Sequence, residues 1–430
     1  MAVKSDWYWG LGAAAAMFGC GSTSSPSTSP SVDGGNSIDG SNSVDAGNDA
    51  PPSMAPATGL TASEWVWTPV AGTMCRDGSS TGFAVNLASP PSTNLVIYLE
   101  GGGACVDTFF CSSLASPETF GASQFSTWKA DTTGDANSGI FNRSDTANPV
   151  AGWNFVYIPY CTGDVFVGDR TNVTVPDPDV PVQQFVGYTD VGLDLDRIVP
   201  TFPGTTKVLL TGVSAGGFGA SANYVQTARH FGSLAVPPPV YLLDDSGPPM
   251  EAPYLAECMQ SEFASLWGMG GALADCGSDC SDPSSYFIDF AKHIGKAYPS
   301  VPFGLIESSQ DAVISLFFGY GNPGMCMNSD LPGASVPPAT FTAGLQDTEE
   351  QLAGTPNFGS FIMGGSRDTQ HTSLGSSSTF DGDTTNVTAS LLLPEGGADD
   401  DAGEPDAGTI ALTTWIATLV NEGKVSNVGP

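Results

Sequence analysis

The stretch KVLLTGVSAGGFGA, residues 207–220, decides the fold, because it carries the pattern G-x-S-x-G as Gly212-Val213-Ser214-Ala215-Gly216. Five such residues are a weak signal by themselves. The chain has 53 glycines, and a second match, GSSTG, stands at Gly78–Gly82. Context separates the two. KVLL before Gly212 reads as a buried strand, and GGFGASANYVQTARHF after the serine reads as a helix. Strand, sharp turn and helix are the setting of a nucleophile elbow, where the serine sits in a strained conformation and flanking side chains would clash. GSSTG instead follows a turn at Asp77-Gly78, between WVWTP and GFAVNL, and reads as part of an opening β-hairpin.

Outward from the elbow, short continuous apolar runs recur at 95–99, 153–160, 240–244, 303–308 and 360–365. Continuous runs, as opposed to alternating ones, predict strands buried on both faces. Helical patterns lie between them, as in DVGLDLDRIVPTF and ASANYVQTARHFG, and a last helix is expected at TIALTTWIATLVNEG. The fold class is therefore α/β, with a mostly parallel central sheet covered by helices on both faces.

A serine nucleophile needs a base, and the base needs an acid to orient it. The chain has three histidines. His230 ends the helix after the elbow, and His293 lies on a helical face in FIDFAKHIGKAYP. His371 follows the final strand in FIMGGSRDTQHTSL, on a loop, and is the expected base. Asp311, after the strand FGLIES, is the expected acid, with Asp244 and Asp245 after VYLL as runners-up. The chain order Ser214, Asp311, His371 suits this architecture. An oxyanion hole draws on the N–H of the residue after the serine, Ala215, and on a loop after an earlier strand. LVIYLEGGGAC supplies such a loop at Gly101–Gly103.

With these pieces assembled, the sequence resembles the pectin acetylesterases and the related Notum-type carboxylesterases. The matching stretches are CRDGSSTGF, LEGGGAC with Cys111 beyond it, GIFNRSDTANPVAGWNFVYIPYCTGDVFVGD, GVSAGG, SSQDAVI and QHTSL, spread from about Cys75 to Leu374. The resemblance implies an α/β-hydrolase fold and serine-dependent ester hydrolysis with no metal or cofactor. It puts the nucleophile on Ser214, the acid on Asp311, the base on His371, and the oxyanion donors on Gly102, Gly103 and Ala215. It also implies pairing of Cys105 with Cys111 and of Cys75 with Cys161. One departure is Gly103, where relatives commonly carry Trp, so one wall of the site is expected to be open.

The rest of the chain sets the surroundings. The net charge is −33 with only 12 Lys and Arg, which argues against nucleic acid or an anionic membrane surface as partner. MAVKSDWYWGLGAAAAMFGCGS reads as an export signal over residues 1–20, with MFGC a loose bacterial lipobox that would lipidate Cys20. Residues 21–57 read as a Ser/Pro/Gly/Asp linker, 58–430 as one catalytic domain, and 381–407 as an acidic solvated loop. Beyond Cys20, the even set Cys75, Cys105, Cys111, Cys161, Cys258, Cys276, Cys280 and Cys326 suggests four disulfides in an oxidising compartment. A zinc site of Cys258, Cys276, Cys280 and Cys326 is the rival reading. The expected partner is an ester substrate, such as an acetylated polysaccharide, met by a monomer in the cell envelope or outside the cell. A pectin-like polyanion would need local cations, for which Arg76, Arg143, Arg170 and Arg367 are candidates. Lipid-like or polyester substrates are the enzymatic alternative, and an inactive surface-binding lipoprotein that keeps the fold is the alternative of another class.

Overall fold

The computed structural model describes residues 55–430 apart from 108, 132–133, 176–179, 320–334 and 387–407. Its centre is an eight-stranded sheet. The strands are β1 (Trp65–Met74), β2 (Ser80–Asn86), β3 (Asn94–Leu99), β4 (Asn154–Ile158), β5 (Lys207–Val213), β6 (Val240–Asp245), β7 (Phe303–Ser308) and β8 (Phe358–Met363). They lie in the order β1-β2-β4-β3-β5-β6-β7-β8. β1 and β2 form an antiparallel hairpin whose inner strand pairs antiparallel with β4. From β4 to β8 every pairing is parallel.

All six apolar runs form strands of this sheet, and the reason lies in their burial. β3 presents Leu95, Ile97 and Leu99 to one apolar core and Val96 and Tyr98 to another. β5 does the same with Val208 and Leu210 against Leu209. Two-residue alternation delivers side chains to opposite faces, and both faces are covered, so no position needs a polar residue. Helices Gly187–Thr201, Ala215–Ala222, Tyr224–Phe231, Tyr286–Ala297 and Pro338–Leu352 cover the first face, and Ala122–Ala130 and Leu412–Ala417 cover the second. The fold is α/β-hydrolase-like. Among the described residues no helix is long and apolar enough to cross a membrane.

Three sequence expectations change. The pattern ASANYVQTARHFG is two helices, because fully buried Asn223 interrupts it and donates from Nδ2 to the carbonyls of Phe166 and Gly219, both at 2.8 Å. The last helix is shorter than TIALTTWIATLVNEG. Thr409–Ala411 is a short strand paired with Thr384–Asn386, and the helix begins at Leu412 and ends in a wider turn over Thr418–Glu422. That pairing also takes 384–386 out of the expected solvated loop, and Asp383 beside it is fully buried. Residues 387–407 lie outside the described residues, as do the export signal, Cys20, the linker up to residue 54, and Cys326.

Cysteines pair as Cys75–Cys161, Cys105–Cys111 and Cys276–Cys280, and Cys258 is disulfide-bonded as well. The zinc reading fails on this point: three of its four ligands are already in disulfides.

Candidate active site

The elbow is built by sterics. Ser214 closes β5 at φ 55°, ψ −120°, a backbone region that side chains rarely enter and that costs about 1–3 kcal/mol. Its N–H donates to the Asp245 carbonyl at 2.7 Å, and its own carbonyl accepts from Gly217 at 2.9 Å and Phe218 at 3.2 Å. A β-carbon on Gly216 would sit 2.1 Å from the Leu99 carbonyl oxygen. Only glycine lets the helix start this close to β3. Ala215 is the first residue of that helix, so its N–H has no partner within the helix and is free to face a ligand.

The glycine loop after β3 borders the same space, and Gly103, Ala104, Ser214 and Ala215 line one pocket. Gly103 has φ +71°, and a β-carbon there would lie 1.7 Å from the Leu114 carbonyl oxygen and 3.2 Å from Cζ of Phe317. The Leu114 backbone and the Phe317 ring stand where a larger side chain at 103 would go. The Tyr160 hydroxyl fixes the loop by donating to the Gly103 carbonyl at 3.0 Å and accepting the Val165 N–H at 2.7 Å.

Asp311 and His371 meet, 60 residues apart in sequence, with Nδ1 of His371 2.7 Å from Oδ2 of Asp311. Asp311 is fully buried just past β7, and its Oδ1 accepts the N–H groups of Val313 and Ile314, both at 2.8 Å. The carboxylate is thus held by the start of the helix Ala312–Gly319 and its second oxygen is aimed at the imidazole. This contact makes Nδ1 the donor and leaves Nε2 as the ring's acceptor. Burial pulls the His371 pKa down, but Asp311 and, further off, Asp245 outweigh it, so the net shift is upward. No hydrogen bond joins the Ser214 hydroxyl to His371 among the described residues, a looseness common before substrate binds.

The two runner-up acids separate by strand alternation. Asp244 faces the helix after the elbow and accepts the Ser221 hydroxyl at 3.0 Å. Asp245 points the other way, and its Oδ2 accepts the N–H groups of Ser373 and Leu374, both at 2.7 Å. Burial raises the Asp245 pKa to about 6. Glu307, fully buried on β7, accepts the Ser308 N–H at 2.7 Å, and burial together with neighbouring Asp311 holds its carboxyl well above the ordinary range. Sequence reading did not give Asp245 or Glu307 a place in the site beyond naming Asp245 as a spare acid. Their one sequence signal is an acidic residue at the C-terminal end of an apolar strand.

The other two histidines are elsewhere. His230 Nδ1 lies 2.6 Å from the Gln226 carbonyl, and His293 pairs with Asp279 at 3.0 Å. The four candidate arginines do not line the serine's pocket. Arg76 is buried and donates to the carbonyls of Cys111 and Ser116 at 2.9 and 3.1 Å. Arg143 braces Asn86, Ala151 and Trp153 and lies 4.1 Å over the Phe155 ring, with its pKa lowered by burial to about 10. Arg170 bonds the Ser265 carbonyl, and Arg367 pairs with Asp383 at 3.5 Å. The pocket beside Ser214 is apolar, walled by Val165, Phe218, Phe263, Trp267, Phe287 and Phe318.

Comparison with known proteins places the chain in a family and a fold. The family model described as Pectinacetylesterase matches residues 60–311, more than half of the chain. Palmitoleoyl-protein carboxylesterase Notum of Drosophila melanogaster is 31% identical over 157 residues, 35% of this chain and 22% of that protein. The mouse protein of the same name is 32% identical over 166 residues, 38% of this chain and 31% of that one. A Xenopus laevis relative is 32% identical over 189 residues, 40% of this chain and 34% of its own length. The chain thus spans about a fifth to a third of the curated relatives it matches. A solved structure of the Wnt deacylase Notum from Drosophila superposes with a TM-score of 0.51 at 20% identity, covering 74% of this chain and 87% of that one, a likeness of fold.

Proposed function

The chain belongs to the pectinacetylesterase family, and from that membership we propose that it is a carboxylic ester hydrolase working through Ser214, His371 and Asp311. The Ser214 hydroxyl attacks the ester carbonyl carbon, and Nε2 of His371 takes its proton. Asp311 holds the imidazolium that forms. The N–H groups of Gly102, Gly103 and Ala215 stabilise the oxyanion, and collapse of the tetrahedral adduct expels the alcohol, which takes the proton back from His371. Water then attacks the acyl-serine by the same route and frees the acid.

One observation carries this reading: the His371–Asp311 pair at 2.7 Å sits on a loop that Asp245 ties to the strained Ser214. The test is hydrolysis of p-nitrophenyl acetate together with labelling by a fluorophosphonate. Both are expected of the wild type and neither of Ser214→Ala. A Ser214→Ala enzyme with undiminished hydrolysis rejects the assignment.

For the substrate, the family description favours O-acetyl esters on a polysaccharide. The aromatic walls of the pocket favour a second reading, a longer apolar acyl chain, since such walls gain from excluding water around each methylene. Among the described residues no arginine stands in those walls, which weighs against direct recognition of a polyanion in this pocket. A p-nitrophenyl chain-length series set against acetylated pectin and xylan separates the two readings. The disulfides support an oxidising, extracellular setting.

A further inference from the structure

Three separate segments converge on the end of β6. Asp245 gives its carbonyl to the N–H of Ser214 at 2.7 Å and its Oδ2 to the N–H groups of Ser373 and Leu374, both at 2.7 Å. The next residue repeats the gesture. Ser246, at φ 62°, donates its hydroxyl to Asp245 Oδ1 at 3.1 Å and accepts the N–H of Thr372, itself at φ 62°, at 3.0 Å. The N–H of Ser246 is in turn anchored to the Ile306 carbonyl of β7 at 2.9 Å. The three residues that follow His371 are therefore all held by Asp245 and Ser246, and the Asp245 carbonyl also holds the nucleophile's own amide.

We propose that Asp245, assisted by Ser246, is a positioning residue that fixes the distance and angle between the Ser214 elbow and the His371 loop. The inference rests on the esterase reading above. Asp245 does not contact His371 by a hydrogen bond and has no place on the substrate's path. It acts because both partners of the proton transfer hang from one buried side chain and its backbone. Its fully buried position keeps this brace rigid, since low-dielectric surroundings strengthen a satisfied network and penalise a broken one. The titratable groups facing it are Glu307 from β7, His371 from the loop, and Asp244 beside it; Asp383 reaches the same loop through the Ser373 hydroxyl at 2.7 Å.

The experiment uses Asp245→Asn and Ser246→Ala in the full chain, with kcat counted per fluorophosphonate-labelled serine so that misfolded protein is left out. Asp245→Asn is expected to lower kcat about 10²-fold, the scale on which small misplacements act, with KM nearly unchanged. Losing the carboxylate charge also removes a cause that raises the His371 pKa, so the acidic limb of the kcat/KM profile is expected to move to lower pH. That movement reports the lost charge; positioning is read in kcat falling while KM holds, a split that a residue merely supporting the fold does not give once kcat is counted per labelled serine. Ser246→Ala keeps every charge and removes one acceptor, and about a tenfold fall in kcat is expected from one lost hydrogen bond. Should Asp245→Asn fail to fold, Ser246→Ala decides alone. Wild-type kcat in Ser246→Ala, or in a folded Asp245→Asn, overturns the inference while the esterase reading stands. A wild-type enzyme that neither hydrolyses nor labels overturns both.

Discussion

The elbow at Ser214 and the loop at His371 do one job by different physical means. Around Ser214 the constraints are steric: a residue at φ 55° and a glycine whose β-carbon would strike the Leu99 carbonyl. Around His371 they are polar and come from far along the chain. Asp311 reaches the imidazole, Asp245 takes the two amides of Ser373 and Leu374, and Asp383 accepts the Ser373 hydroxyl and the Gln370 amide, each at 2.7 Å. The serine is fixed chiefly by what cannot fit; the histidine is fixed by buried carboxylates that must be satisfied.

If that contrast is right, conservative changes at the loop remove chemistry and leave the fold, whereas changes at the elbow remove both. The largest effect is expected from Asp311→Asn, which keeps shape but favours the wrong imidazole tautomer. A fall in kcat of roughly 10⁴ is expected, with little change in melting temperature. Steady-state kinetics beside a thermal melt checks it, and a loss under tenfold would remove Asp311 from the mechanism. Gly216→Ala comes next. Forcing the elbow away from β3 is expected to cost about 10² in kcat and roughly 1–3 kcal/mol of stability, read by urea unfolding. Asp383→Ala is expected to act on the loop alone, destabilising by about 1–3 kcal/mol. Its kcat and its rate of fluorophosphonate labelling should fall together.

The same contrast explains what the sequence made legible. Steric rules are local, so the strand at 207–213, the turn and the helix after it could be read from neighbouring residues. The strands too follow from continuous apolar runs, because burial on both faces leaves no other composition. Asp311 and His371 were legible through their order after strands β7 and β8. The second layer was not. Nothing near Asp245 says that its carboxylate will meet residues 373 and 374, and nothing near Asp383 says that it closes the loop from the other side and not within a solvated insertion. Arg76 and Arg143 failed for the same reason: a lone arginine in a sequence reads as a surface cation, while here the partners that bury it are carbonyls with no sequence signature.

The smallest effect concerns pH, and it separates stability from activity. Burial raises the Asp245 pKa from 3.8 to about 6 and shifts Asp164, Asp190 and Asp194 upward too. A carboxyl whose pKa is higher in the folded state binds protons more readily there than in the unfolded chain. Its stabilising contribution is complete below the unfolded value and disappears as pH rises through the folded one. Acidification from neutrality toward pH 5, across the Asp245 window, is therefore expected to raise the melting temperature by a few degrees. Catalysis runs the other way. The His371 pKa lies above 6.5, and a base works only when neutral, so kcat/KM should already decline as pH drops from 8 to 6. Scanning fluorimetry and esterase assays over the same buffers test the pair of trends. A melting temperature that falls in step with activity would mean that the buried carboxylates are ionised and fully paired. The histidine loop would then be held by charge, and the contrast with the elbow would narrow to a single acid, Asp311.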